Sequence, residues 1–145
     1  MTLERFEYAV SLKAAKEGGF IVTCRDLPEL ITQGESLEDA LAEASDAMDE
    51  LFASYMYGKR AFPEASKAKR GEHFVAPRVE TVAKAALYVA MREAGISNIQ
   101  LAKRLGVDEK EVRRLLDPRY GSKLPRIAEA IEVLGRRLVI GLDVA

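Results

Sequence analysis

Residues 97–116 constrain the fold most, because their caps and periodicity predict two short helices joined by a tight turn. Ser97 and Gln100 have the spacing of a capping box at the start of the first helix. Gly106 falls where that helix must end and the chain must turn, a position that favours glycine. Apolar side chains recur at helical spacing in both halves: Ile99, Leu101, Ala102 and Leu105, then Val107, Val112, Leu115 and Leu116. This pattern is typical of a DNA-binding helix-turn-helix.

The second predicted helix carries a row of basic side chains. Asp108 and Glu111 repeat the capping-box spacing at its start. Lys110, Arg113 and Arg114 have the spacing at which helical side chains project together, so the row can enter a major groove. We expect these three side chains to read or approach the bases. The competing interpretation is a helical hairpin whose charges are merely solvated.

The loop that follows, residues 117–123, supplies further hydrogen-bond donors. We expect Tyr120, Ser122 and Lys123 to bind DNA phosphates, with Gln100 of the first helix as another backbone contact. The alternative for these loop residues is an exposed loop that makes no contact with DNA.

The end of the chain predicts a helix over 124–135 and a strand over 137–144. A single strand has no partner within a helical region. We expect it to pair with the same strand of a second copy, which would bury its apolar side chains. The resulting homodimer, or a higher homo-oligomer, would suit a protein that reads paired DNA half-sites.

Composition places the chain among globular proteins, since 48% of its 145 residues are hydrophobic. It contains no apolar run long enough to span a membrane, and its first residues lack the layout of a signal peptide. We therefore expect a cytoplasmic protein without a membrane partner. With Cys24 and His73 as the single cysteine and histidine, an internal disulfide and a zinc finger are excluded. We expect no metal or other cofactor, and we expect Cys24 to be a small buried strand residue.

Charge is distributed unevenly along the chain, although the net charge is only −1. Residues 1–56 contain four basic and twelve acidic side chains, whereas residues 57–145 contain eighteen basic and eleven acidic ones. The acidic front suits a basic partner, and the basic back suits phosphate.

The N-terminal half predicts a small sheet with one helix. Alternating or continuous apolar runs indicate strands over 6–14, 20–24, 30–34 and 73–76. A helix begins after Ser36, which has Asp39 three residues later as the acidic member of a cap. One face of that helix is apolar and the other carries a series of carboxylates, which have no companion histidine or nucleophile for catalysis.

Helical periodicity resumes after Pro77, so residues 77–80 mark a domain boundary. We expect an α+β protein with one domain over residues 1–76 and a helix-turn-helix domain for DNA binding and dimerisation over residues 77–145.

Several motifs in the N-terminal half occur in an order that resembles one known family. They are Gly18-Gly19-Phe20-Ile21-Val22, Asp26-Leu27-Pro28, Thr32-Gln33-Gly34-Glu35-Ser36-Leu37-Glu38-Asp39-Ala40 and Glu72-His73-Phe74-Val75. With the helix-turn-helix behind them, the chain resembles the HicB-type antitoxins, the partners of the small HicA ribonucleases in toxin–antitoxin pairs.

The resemblance implies a partial ribonuclease-H-like fold for residues 1–76, built from three strands, a helix and a fourth strand, and used to bind the toxin. It also implies that the C-terminal domain binds the operator of its own operon as a dimer. The expected partners are thus a HicA-type toxin protein and operator DNA. We expect no enzyme, because an active ribonuclease-H fold gathers several carboxylates around metal ions, and Glu7 is the single acidic residue of the first predicted strand.

For the toxin-binding face we select Asp26, Glu29 and Glu35, which are acidic residues near predicted strand edges. Two other functions remain open at this point. One is a stand-alone transcriptional regulator whose N-terminal domain senses a small ligand, and the other is a nuclease that uses the helix carboxylates.

Overall fold

A computed structural model describes residues 3–144, which form an α+β protein, as predicted. The chain divides into two compact units, one ending at Val82 and the other beginning at Ala83. The elements are β1 (Tyr8–Ala14), β2 (Phe20–Cys24), β3 (Ile31–Gly34), α1 (Leu37–Tyr57), β4 (His73–Val75), α2 (Val79–Ala94), α3 (Asn98–Leu105), α4 (Glu109–Leu116) and α5 (Leu124–Glu132).

The four strands of the first unit form one antiparallel sheet in the order β3-β2-β1-β4. Val10 pairs with Cys24 across β1 and β2, which places both side chains on the same face of the sheet. Helix α1 packs on this face with its apolar stripe, so that Met48 and Phe52 are buried. Cys24 is a buried strand residue, as predicted, and its thiol donates to the backbone oxygen of Ala9 at 3.3 Å.

Helix α1 begins at the predicted cap. The Ser36 hydroxyl accepts a hydrogen bond from the N–H of Asp39 at 3.0 Å, and the Asp39 carboxylate accepts one from the N–H of Glu35 at 2.9 Å. Gly34 ends β3 directly before this cap. Its Cα lies so close to the backbone of Ala40 that a methyl group there would overlap main-chain atoms. Glycine at this position therefore allows the strand and the first turn of the helix to approach each other.

The second unit has its own apolar core, to which α2, α3, α4 and α5 contribute. Its buried members are Ala83, Leu87, Met91, Leu101, Ala102, Val112, Leu115, Ile127, Ala130 and Ile131. The prediction that Ile99 belongs to the apolar side of α3 is wrong, because 59% of its surface is exposed. At about 3.6 residues per turn, Ile99 lies nearly opposite Leu101 on the helix.

Helix α5 ends at Glu132, earlier than the predicted end at residue 135. The N–H groups of Leu134 and Gly135 donate to Ile131 and Glu132 in a closing turn. The predicted strand over 137–144 is absent from the single chain, where those residues have no regular secondary structure. Leu138 packs against the core, but the following apolar side chains are exposed. A strand requires a neighbouring strand for its N–H and C=O groups, and one chain supplies none here.

The boundary between residues 76 and 77 stays a prediction. Within residues 3–144, no helix has both the length and the apolar character that a membrane span requires.

Candidate functional site

The turn between α3 and α4 has the geometry that the sequence predicted. The Ser97 hydroxyl accepts a hydrogen bond from the N–H of Gln100 at 3.2 Å, and the Gln100 side chain accepts one from the N–H of Ser97 at 2.9 Å. This completes the capping box. Gly106 ends α3 with a φ of 68°, in the left-handed region that glycine occupies without strain. Gln100 thus has a structural role in addition to its predicted contact with the DNA backbone.

The second predicted capping box does not form. Asp108 is the N-cap residue of α4, but its side chain makes no capping hydrogen bond. The Glu111 carboxylate accepts a hydrogen bond from the Arg114 guanidinium at 2.9 Å instead of reaching back to the cap. Val112 and Leu115 are buried, so α4 is held by its apolar stripe rather than by its first turn.

The basic row of α4 lies on the side away from this stripe. Lys110 is exposed. The Arg113 side chain is 62% exposed and forms an ion pair with Glu109 at 3.1 Å, while Arg114 is 38% exposed and pairs with Glu111. Exposed ion pairs of this kind contribute about 1 kcal/mol or less. Both arginines can therefore exchange their carboxylate partners for phosphate or a base edge at small cost.

The three candidate residues of the loop after α4 differ in exposure and in their contacts. The Tyr120 ring is 46% exposed, and its centroid lies 5.3 Å from the guanidinium carbon of Arg114. Lys123 is exposed and is the N-cap residue of α5. Ser122 is half-buried, and its hydroxyl accepts a hydrogen bond from the Lys84 ammonium at 2.8 Å.

Sequence reasoning missed Lys84, although a lysine within the apolar run of α2 is a detectable signal. Its side chain is buried, with 1% exposure. Besides Ser122, the ammonium donates to the backbone oxygens of Arg114 at 2.8 Å and Tyr120 at 2.7 Å. Three of the predicted DNA-binding positions are thus connected through one buried cation.

In the first unit, two of the acidic candidates are engaged within the chain. Asp26 accepts hydrogen bonds from the N–H and the hydroxyl of Ser66. Glu29 accepts from the Tyr55 hydroxyl at 3.3 Å and lies 3.4 Å from the Arg60 guanidinium. Both carboxylates therefore contact the region between the end of α1 and β4.

The third acidic candidate, Glu35, is exposed on the connection between β3 and α1. Its backbone N–H belongs to the α1 cap. Glu29 is exposed as well, with 45% of its side chain accessible, so Glu35 differs from it in having a backbone N–H that belongs to a helix cap.

A fourth acidic residue, Glu72, was missed because its importance depends on distant partners. Its carboxylate accepts hydrogen bonds from the Arg25 guanidinium at 2.7 Å, the Lys69 N–H at 2.6 Å and the Ser11 hydroxyl at 3.2 Å. The hydrogen bond from Arg25 lowers the pKa of Glu72 to about 2, with the Lys69 N–H acting in the same direction. Arg25 also donates to the backbone oxygen of Lys67 at 3.1 Å.

The sheet face opposite α1 carries exposed apolar side chains. Ile31 is 69% exposed, Phe74 48% and Ile21 39%. Among the described residues, no group of three or more histidine, cysteine, aspartate or glutamate side chains is arranged to hold a metal ion.

Comparison with known proteins assigns the chain to a family. The family model described as the HicB-like antitoxin of bacterial toxin–antitoxin systems matches residues 7–86, which include the whole sheet and α1. The chain belongs to the HicB antitoxin family. The sequence resemblance to this family is thereby confirmed.

Individual HicB antitoxins are similar over nearly the whole chain, including the helix-turn-helix. The antitoxin HicB of Pseudomonas fluorescens (strain Pf0-1) is 33% identical over 97% of this chain and 96% of its own length. The antitoxin HicB of Escherichia coli (strain K12) is 31% identical over 90% of this chain and 95% of its own length. Antitoxin HicB 2 of Photorhabdus laumondii is 35% identical over 84% of this chain and 86% of its own length.

Proposed function

We propose that this HicB-family chain neutralises a HicA-type ribonuclease toxin with its N-terminal domain and represses its own operon by binding operator DNA with its C-terminal domain. It acts in the cytoplasm by binding rather than by catalysis. The division at residues 76 and 77 separates the two activities, and a homodimer or higher homo-oligomer presents two helix-turn-helix motifs to the operator.

The proposal of DNA binding rests on the exposed basic row of α4, which follows a turn with the geometry of a helix-turn-helix. The capping box of α3 and the left-handed Gly106 fix the angle at which α4 leaves the turn. Lys110, Arg113 and Arg114 are then available for the major groove. Gln100, Tyr120, Ser122 and Lys123 are assigned to the DNA backbone, in keeping with the role of polar loop and helix-start residues.

The toxin-binding half is supported by membership of the HicB family and by the charge of residues 1–56. Twelve acidic side chains lie within residues 1–56 against four basic ones, which complements a basic, RNA-binding toxin. Glu35 is assigned to direct contact with the toxin. Asp26 and Glu29 are assigned to the same surface, where they also hold the neighbouring segment of the chain.

The oligomer is supported by the end of the chain. Val139, Ile140, Leu142 and Val144 are all more than half exposed, and a stretch of this composition is costly to leave in water. Pairing with the same stretch of a second copy supplies the missing strand partner and covers these side chains.

Two assays test the proposal. Co-expression with the adjacent open reading frame should rescue growth from its toxicity, and the two products should co-purify. The purified chain should also bind a duplex taken from the DNA upstream of its gene more tightly than a scrambled duplex of equal length. Absence of rescue contradicts the antitoxin role toward that neighbour, and equal affinity for both duplexes contradicts specific operator binding.

A further inference from the structure

We propose that Lys84 is a positioning residue that holds the loop 117–123 against the end of α4 and thereby sets the geometry of the DNA-binding surface. The inference rests on the proposed operator binding and extends it to a residue that does not touch DNA. With 1% of its surface exposed, Lys84 is shielded from any phosphate or base.

The geometry around the Lys84 ammonium uses its full hydrogen-bonding capacity. The nitrogen donates to the backbone oxygen of Arg114 at 2.8 Å, the backbone oxygen of Tyr120 at 2.7 Å and the hydroxyl of Ser122 at 2.8 Å. A lysine ammonium has three donors, and each has an acceptor here. One point on α2 therefore fixes the last turn of α4 and two positions of the loop.

Packing alone does not account for a charged group at this position. Burial lowers the pKa of Lys84 to about 8, although the carboxylate of Asp117 acts in the opposite direction. An apolar side chain such as methionine would fill similar space without the cost of burying a charge. A buried cation does, however, suit the C-terminal end of α4, where the backbone oxygen of Arg114 accepts from the ammonium in addition to the N–H of Asp117.

Lys84 affects the proposed DNA contacts through the backbone of the residues that make them. Because Lys84 holds the main chain of Arg114 and of Tyr120, it sets the positions from which both side chains project toward DNA. The Tyr120 ring in turn lies 5.3 Å from the Arg114 guanidinium carbon, within range of a cation–π contact. Ser122 is oriented by the ammonium directly.

The decisive variant is Lys84→Met in the full chain, measured on the upstream duplex and on a scrambled duplex. We expect affinity for the upstream duplex to fall about tenfold, which is the loss of roughly one well-placed base contact. Affinity for the scrambled duplex should fall less, and the dependence of log affinity on log salt should keep its slope, since the backbone contacts that Lys84 positions, Tyr120 and Ser122, carry no charge. Lys123→Ala supplies the contrasting pattern, with weaker binding to both duplexes and a slope reduced by about 1.

A matched control separates positioning from general loss of stability. Met91→Ala removes a core side chain of the same helix, and Met91 is only 5% exposed. It should lower the melting temperature, because truncating a buried side chain leaves a cavity, yet leave affinity for the upstream duplex unchanged at temperatures where both variants are folded. Equal loss of affinity in both variants would overturn the proposal.

A pH series adds a readout that a purely structural role would not move. The charged and titratable groups that the structure places against Lys84 are Arg114 of α4 and Asp117 and Tyr120 of the loop. A neutral amine has only two hydrogens to donate, so deprotonation releases one of the three oxygens. The affinity ratio of wild type to Lys84→Met should therefore decrease as the pH rises from about 7 to about 9, while staying above one because two donors remain. A constant ratio would contradict the inference.

Hydrogen exchange tests the positioning without DNA. In Lys84→Met, amides of residues 119–123 should exchange faster than in wild type and in Met91→Ala. If the wild-type chain binds the upstream duplex no more tightly than the scrambled one, the proposed operator binding is wrong. Faster exchange in Lys84→Met would still show that Lys84 orders the loop. Unchanged exchange overturns the positioning itself. Ser122→Ala, which removes one acceptor, provides a milder variant should Lys84→Met not fold.

Discussion

Asp26 accepts two hydrogen bonds from Ser66, one from its backbone N–H at 2.8 Å and one from its hydroxyl at 2.7 Å. The two residues are separated by forty positions along the chain. Their contact holds the segment between α1 and β4 against the connection that follows β2. A residue selected from the sequence as a toxin contact therefore also orders the surface around it.

Replacing Asp26 distinguishes these two roles. We expect Asp26→Ala to lower the free energy of unfolding of the first unit by about 2 kcal/mol, because both hydrogen bonds to a charged acceptor are lost. Asp26→Asn keeps one acceptor oxygen and should cost about half as much. Chemical denaturation followed by tyrosine fluorescence measures the change, with Ser66→Ala as the matched variant. If Asp26→Ala abolishes toxin binding without any loss of stability, its role is direct contact alone.

Glu35 offers the cleaner test of the proposed toxin-binding surface. Glu35→Gln removes an exposed charge but leaves the backbone N–H that joins the α1 cap. We expect the affinity for the toxin to fall about fivefold, equivalent to about 1 kcal/mol for an interfacial charge pair. Glu17→Gln is the control, because Glu17 is also exposed, in the turn between β1 and β2. Titration calorimetry with an inactive toxin variant checks both, and equal affinities would remove Glu35 from the interface.

Variants of Arg113 and Arg114 test whether the proposed DNA binding is separate from the proposed neutralisation. The double change to alanine should weaken operator binding about a hundredfold, since each arginine contact to a base or phosphate contributes about 1–3 kcal/mol. Growth rescue from the toxin should be unaffected, because the first unit is untouched. The double variant Lys13→Ala/Lys16→Ala removes the same charge from exposed positions of the first unit and controls for net charge. Loss of rescue in a folded Arg113/Arg114 variant would contradict the division of labour between the two domains.

The end of the chain determines the oligomeric state in our proposal. Deleting residues 139–145 removes the exposed apolar stretch and spares Leu138, which packs on the core. We expect the mass in solution to drop and operator affinity to fall with it, because a single helix-turn-helix reads only one half-site. Light scattering coupled to size exclusion measures the mass. An unchanged mass would eliminate strand pairing as the basis of assembly.

Glu72 gives the first unit a defined acid sensitivity. Its pKa is about 2 in the folded chain against an ordinary value of 4.5, so folding favours the charged form. The stabilisation is fully present above about pH 4.5 and is lost as the pH falls toward about 2. Glu72→Gln should show a shallower decline of melting temperature across this window than wild type. Arg25→Met should have the same effect, because the Arg25 hydrogen bond is the main cause of the shift. A wild-type slope in both variants would refute this account.

Much of the fold could be predicted because its signals are local. The capping box at Ser97, the cap at Ser36 and the left-handed Gly106 each depend on residues within one turn of the chain. Period-two patterns located every strand of the sheet to within a few residues, and caps and helical patterns located the start of each helix equally well. The capping box at Asp108 failed because Arg114, at helical spacing, offers Glu111 an alternative partner.

The candidate sites were less predictable, since their contacts join positions that are distant in sequence. Glu72 contacts Arg25 and Ser11, and Lys84 contacts Tyr120 and Ser122. Nothing in the local spacing indicates these partners. The strand predicted over 137–144 also depends on a distant contact, because its proposed pairing partner belongs to a second copy of the chain.

By itself the sequence determined the α+β class, the helix-turn-helix, the family resemblance and the exposed basic row. Each follows from residue type at short spacing, which sets backbone preference and which face is apolar. Tertiary structure alone decided which polar side chains are committed to contacts within the chain. It assigned Asp26 and Glu29 to internal contacts, exposed Glu35 and buried Lys84 against three oxygens. The physical reason is that hydrogen bonds over long sequence distances exist only after the elements have packed.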